Sequence, residues 1–204
     1  MRRRHLPLLA LPLAALPLVT RPAAAAAGDL RFRIMREGSA IGTHAVTFTE
    51  GPGGLAARTL VAIQVKLMGI SVFRLSHDFA ETWAGDRLTA LTSRHDRNGT
   101  VTTLTVRAEG DALLVQGMAG PQRLAADAAP LTWWDSRRIN RPLFDNETGK
   151  PLTLQWTRTG FPGGATRWRV AGDEQGEATY AADGTWLDWS TKGDDGSLVT
   201  YERL

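Results

Sequence analysis

From Leu30 onward, apolar side chains recur at every second residue. At that spacing, successive side chains of an extended backbone point to opposite faces of a sheet. Leu30, Phe32 and Ile34 alternate with Arg31, Arg33 and Met35, and His44, Val46 and Phe48 alternate with Thr43, Ala45, Thr47 and Thr49. Val61, Ile63, Val65 and Leu67 make a third stripe, Leu152, Leu154 and Trp156 a fourth, and Trp168 with Val170 a fifth; Val199 and Tyr201 close the chain. Turn signals separate the runs: Gly51-Pro-Gly-Gly54, Asn98-Gly99, Glu109-Gly110-Asp111, Pro162-Gly-Gly164, Asp183-Gly184 and Asp195-Gly196. Asn-Gly and Asp-Gly between apolar runs are strong hairpin signals, because a tight hairpin turn needs positive φ at its central residues. No long stretch has helical periodicity. The pattern predicts one all-β domain over residues 28–204, an antiparallel meander forming an open or closed barrel.

One stretch breaks the alternation. Pro130 to Pro142 has no period, and Thr132 or Asp135 could cap a short helix there. A short helical or irregular segment near 130–145 is therefore expected, linking two sheet halves. Asp86 to Gly99 and Asp183 to Gly196 have equal spacing, a weak internal echo of two halves.

The first 27 residues read differently. Arg2, Arg3 and Arg4 precede an apolar run from Leu6 to Val19, and Ala23 to Ala27 follow. Basic, apolar, then small is the order of a cleaved secretory signal peptide. A bilayer span needs about 20 apolar residues, and this shorter run carries Pro7, Pro12 and Pro17. Arg2-Arg3 fits a general and a twin-arginine route alike. The remainder is expected in the periplasm or outside the cell.

That processing decides the charge. The chain has 24 Lys+Arg against 21 Asp+Glu, but Arg2, Arg3, Arg4 and Arg21 precede Gly28 and no acid does. What remains is near neutral, without the basic patch of a nucleic-acid binder, so nucleic acid is excluded as a partner. The absence of cysteine removes disulfides, thiol nucleophiles and any lipid-carrying processing site, so no stable membrane anchor is expected.

Chemistry-bearing residues are few. His44, His77 and His95 follow Gly28, without any spacing that marks a metal site. His44, on an apolar stripe, is expected to be a hydrogen-bonded core imidazole, and His95, beside Asn98-Gly99, to be solvated. No metal or cofactor is expected. His77 and Glu81 share one strand face about 13 Å apart, too far for direct contact, while Asp78 and Glu81 point oppositely and make no glycosidase pair. No nucleophile elbow, S-x-x-K or phosphate loop occurs. Lys192 to Ser197 lacks the alternating ligands of a calcium loop and reads as a hairpin turn. Trp133 and Trp134 lie beside Asp135, Arg137, Arg138, Asn140 and Arg141. Indoles with forked guanidinium donors suit a sugar or an anionic amphiphile; alternatively one Trp plugs the barrel end while the arginines face water.

Four stretches resemble an exported bacterial family catalogued as domain of unknown function 6134. They are Gly38 to Phe48; His77 with Glu81-Thr-Trp83, Asp86 to Leu91 and Asp96 to Gly99; Pro130 to Trp134 with Leu143 and Asn146 to Lys150; and Tyr180 to Trp186 with Asp195 to Ser197 and Tyr201. Where many members carry a serine after the Pro130 region and a tyrosine in the last hairpin, this chain has Thr132 and Trp186. The resemblance implies an exported β-rich domain akin to the half-open barrels of periplasmic lipid carriers, and implies no reaction.

The first expectation is therefore a non-enzymatic envelope protein that binds or carries an apolar or amphipathic small molecule. Trp133, Trp134, Arg137 and Arg138 would guard the mouth, and His77 and Glu81 would lie within. A hydrolase built on His77 and Glu81 is one alternative. A glycan- or protein-binding module using the Trp133–Arg138 segment is another.

Overall fold

The computed structural model describes residues 28–118, 120–193 and 195–204; the signal-peptide reading of residues 1–27 falls outside the described residues. Eight strands follow one another as a meander: β1 (Leu30–Arg36), β2 (Ser39–Gly51), β3 (Gly54–Leu67), β4 (Ile70–Ala84), β5 (Arg87–Arg97), β6 (Thr100–Glu109), β7 (Ala112–Gly117) and β8 (Gly120–Ala125). Five more form a second: β11 (Leu154–Gly160), β12 (Thr166–Gly172), β13 (Gly176–Tyr180), β14 (Trp186–Lys192) and β15 (Leu198–Arg203). The connection between them holds the two-residue strands β9 (Ala129–Pro130) and β10 (Leu143–Phe144), which pair in parallel.

The two meanders join through their outermost members. β1 pairs antiparallel with both β2 and β15, with Ile34 opposite Tyr201. The result is a single thirteen-stranded antiparallel sheet with β11 and β8 at its edges, an open rather than closed barrel among the described residues. Every turn signal read in the sequence falls between strands, and the two echoing segments each run from turn to turn along one strand, β5 and β14.

Alternation holds on the sheet. β1 buries Leu30, Phe32 and Ile34 and exposes Arg31 and Arg33. Leu152 is the exception: its N–H bonds Leu143 O, and β11 begins at Leu154. The concave face collects two packed clusters. One centres on Trp83, Leu88, Leu91, Leu104 and Val115 with Phe144 from the connection. The other centres on Phe32, Val46, Tyr180, Trp186 and Trp189 with Ile139. Trp134, Leu154 and Trp156 pack against both, so the interior is continuous. Each large apolar side chain buried this way contributes roughly 1.5–3 kcal/mol.

The irregular connection fills the barrel. Leu131 N donates to Phe144 O and Ala129 N to Pro142 O, which fixes its two limbs side by side. Asp135 caps a single 3-10 turn at Ser136–Arg138 by accepting from Arg137 N. Further on, Asp145 Oδ1 accepts from Glu147 N and Thr148 N, at 2.7 and 2.8 Å. This turn ends at Gly149, where a Cβ would run into Val115 and Leu104. Glycine is there because the loop lies directly on β6 and β7.

Candidate functional site

Rows of facing residues run across the sheet at right angles to the strands. One row reads Phe32 on β1, His44 on β2, Val61 on β3, His77 on β4, His95 on β5 and Thr102 on β6. All three histidines thus occupy one line on the concave face. The next row reads Val46, Thr59, Phe79 and Ser93, and the one after it Phe48, Ala57, Glu81 and Leu91.

The connecting segment roofs this surface and leaves a cavity of about 270 Å³. Its walls are indoles (Trp133, Trp134, Trp186 and Trp189), Phe79 and Tyr201, with His44, His77, Thr59, Thr132, Glu147 and Glu174 between them. Trp133 stacks on Trp189 with ring centroids 3.8 Å apart, and Tyr180 Oη holds its backbone by donating to Trp133 O at 2.9 Å. No Lys or Arg among the described residues lines the cavity.

Burial favours the neutral form of its ionisable groups. Burial, with the neighbouring His77 charge, pulls His44 down to about 3. Burial and His95 pull His77 down to about 4. Burial pushes Glu147 up to about 7, Asp145 adding to the rise, and raises Glu174. Desolvation disfavours the charged form in each case.

Three buried polar atoms on the cavity walls have no protein partner among the described residues: His44 Nδ1, Thr59 Oγ1 and Thr132 Oγ1. The expectation of a hydrogen-bonded His44 is corrected. Its ring sits in an aromatic box, 5.1 Å from Trp186 and 5.4 Å from Tyr201 between centroids. His95 is corrected too: it is buried rather than solvated, 5.2 Å from His77 and with Nε2 3.3 Å from Glu147 Oε1. No cluster able to hold a metal ion occurs among the described residues.

The remaining residues singled out in the sequence form a separate structure. Glu81, fully buried, accepts from Trp83 Nε1 at 2.8 Å and from Trp134 Nε1 at 3.2 Å. Arg138 is buried against both Trp83 and Trp134, whose rings stand nearly perpendicular at 84°, and is ion-paired to Asp135 at 3.3 Å. Arg137 faces water and forks onto Asp135 at 2.9 and 2.8 Å. The two arginines therefore do not guard a mouth. One is a core element and the other an outer brace, because Asp135 draws both guanidinium groups away from the cavity.

His77 and Glu81 do not converge. They stand two rows apart, and His77 Nε2 instead meets Ser93 Oγ at 2.8 Å. The indoles of Trp133 and Trp134 are half-buried and packed inward, not displayed as an interaction module would require. Ser93 and Thr59 were not singled out in the sequence. No local signal could have found them, because their alignment with Phe79 depends on a bulge in each of two hairpins.

An open antiparallel sheet curled round a plug with a small aromatic cavity defines a β-barrel-like protein. The chain belongs to the family Domain of unknown function (DUF6134), which matches residues 32–204. Among solved structures, it is similar to the β-barrel-like protein of domain of unknown function DUF1849 from Brucella abortus. That likeness has a TM-score of 0.57 at 8% identity over 86% of this chain and 94% of that one. A DUF1089 family protein from Pseudomonas aeruginosa is similar at TM-score 0.46 and 12% identity, over 87% and 96% of the two chains. No curated protein matches.

Proposed function

We propose that this protein binds a small, neutral, amphipathic molecule in the cavity beneath its plug, performs no chemistry on it, and works outside the cytoplasmic membrane after losing residues 1–27. The observation that carries the reading is the set of orphaned atoms on indole-rich walls. A buried polar group without a partner costs about 1–3 kcal/mol, and three of them lining one space call for a hydrogen-bonding occupant. The cavity of about 270 Å³ lies near the lower limit of small-molecule sites, roughly 300–1,000 Å³. That limits the guest to a single compact head or ring rather than a whole lipid. With His44 and His77 uncharged and no cation on the walls, an anionic guest is disfavoured. Export rests on the basic, apolar, small order of the leader.

Native mass spectrometry of protein purified from the periplasm tests this. A bound mass that leaves on denaturation, and that quenches tryptophan emission when added back, supports the reading. A clean unliganded mass under gentle conditions would sink it.

A second reading has one specific observation behind it, the hydroxyl–imidazole pair of Ser93 and His77. It supplies two members of a nucleophilic triad, since an activated serine needs its base oriented by a third group and no carboxylate among the described residues hydrogen-bonds His77. Covalent capture of a fluorophosphonate at Ser93 would favour it over simple binding.

A further inference from the structure

The β3–β4 hairpin outgrows its neighbours. β2 follows β3 only as far as Gly42 opposite Ile63, and β5 follows β4 only as far as Leu75 opposite Arg97. Residues 64–73 therefore pair with no described strand but each other, with Arg97 of β5 lying over the Phe73 ring at their base, and they project roughly 15 Å at ~3.3 Å per residue. An isolated two-stranded ribbon is marginal in water, so its side chains would be expected to be polar. They are the reverse. Leu67 is 65% exposed, Met68 87%, Ile70 70% and Val72 55%. None of these four packs into either core cluster.

Turn chemistry sharpens the point. At the same end of the sheet, the β1–β2 and β5–β6 turns place Glu37 and Asn98 at positive φ ahead of a glycine. The long hairpin places Met68 there, at φ 49 ahead of Gly69. Asn or Asp is the favoured residue in that position, so an apolar side chain stands at the tip against the local backbone preference. The charges are one-sided as well. Lys66 and Arg74 flank the tip, and no Asp or Glu occurs between Leu55 and His77. The acids nearest the hairpin base are engaged: Asp96 on β5 pairs with Arg94, and in the groove beside Lys66 Asp195 pairs with Arg36 while Glu37 accepts from Leu198 N.

We infer that this hairpin is a membrane-surface anchor: Leu67, Met68, Ile70 and Val72 enter the outer part of an anionic bilayer, and Lys66 and Arg74 settle on its headgroups. Apolar side chains seated at the acyl boundary with basic residues on the headgroups is how a peripheral element holds an anionic surface. The projection is long enough to pass a headgroup layer while the barrel stays in water. The inference does not depend on the cavity having a ligand.

Because the chain has no cysteine, a Met68→Cys variant carries a single environment-sensitive dye, with Asp111→Cys at the opposite end as the control. With phosphatidylglycerol–phosphatidylcholine vesicles the dye at 68 brightens and shifts to the blue while the dye at 111 does not. Binding weakens about tenfold or more in high salt or on pure phosphatidylcholine. The triple variant Leu67→Thr, Met68→Asn, Ile70→Thr keeps good strand and turn residues, so its thermal unfolding stays at the parent value while vesicle binding is lost. An unchanged dye at 68 with vesicles overturns the inference. So does a shift that follows protein concentration alone, which would assign the tip to a second copy of the chain.

Discussion

The guanidinium carbon of Arg138 lies 3.5 Å from the centroid of the Trp83 ring and 4.3 Å from that of Trp134. The same two indoles donate to Glu81. One cation and one acid, neither touching the other, are thus held by a shared pair of aromatic rings. This clasp ties the plug to β4.

Removing the cation leaves Asp135 buried with only its outer partner. Arg138→Ala is expected to destabilise the fold by about 3 kcal/mol. Arg138→Lys should recover only part of this, because an ammonium lacks the planar guanidinium that lies over the Trp83 ring. Urea unfolding followed by tryptophan emission measures both.

Glu81 sets a pH limit on the alkaline side. Burial pushes its carboxyl up to about 7, against the two indole hydrogen bonds and Arg138. The folded chain therefore keeps a proton that the unfolded chain releases above the ordinary value near 4.5. Stability falls as pH rises from about 4.5 to about 7, and then levels. Glu147 acts in the same direction. Glu81→Gln keeps an acceptor for the indoles and removes its own share, up to about 3 kcal/mol. The variant's melting temperature should decline less than the parent's across this interval.

The histidines act on the acid side with the opposite sign. His44 and His77 are drawn down to about 3 and about 4. Their folded rings refuse protons that the unfolded chain accepts below about 6.5. Their contribution is complete above that pH and is lost as pH falls toward their folded values. His44→Phe, which leaves no ring nitrogen to charge, should flatten the acid limb of the melting curve. An unchanged acid limb would place the titration elsewhere.

The strands and their faces were legible in the sequence because burial on one side of a sheet imposes a period of two. The histidine row was not. Counted from the Met68–Gly69 turn, Val61 would pair with Ser76, and counted from Gly85, His77 would pair with Arg94. A bulge between Val65 and Lys66 moves the first partner to His77, and another between Thr82 and Trp83 moves the second to His95. A one-residue slip exchanges the two faces, and no local residue pattern announces such bulges. The burial of Arg138 against two indoles was equally hidden. Charge next to charge in sequence reads as a solvated surface until the fold shows which guanidinium has Trp83 beneath it.

Thr59 separates binding from folding. Its hydroxyl is buried without a partner, so Thr59→Val should leave stability unchanged or raise it by about 1 kcal/mol. If a ligand uses that hydroxyl, the same variant binds it about tenfold more weakly. Thermal unfolding and ligand titration on one sample give both answers.

Gly176 lies directly against the Trp189 ring. A Cβ there would overlap the Trp189 ring and the carbonyl of Ser190. Gly176→Ala should drive Trp189 against Trp133, costing about 1–3 kcal/mol by overpacking. Loss of the near-ultraviolet circular dichroism of the stacked pair should accompany it.

The pairing of β1 with β15 has a kinetic meaning. Ladder partners such as Phe32 and Arg203 lie at opposite ends of the described chain, and Leu204 N closes the seam onto Arg31 O at 2.8 Å. During synthesis the opening strand emerges long before its mate exists, so the middle of the sheet is the last joint that can be made. Folding should be slow for the size of the domain. A circular permutant that splices the two ends and opens the chain at Asp127, between the unpaired edge strands β8 and β11, would turn this longest-range contact into a local one without creating another, and should fold faster with the same final architecture.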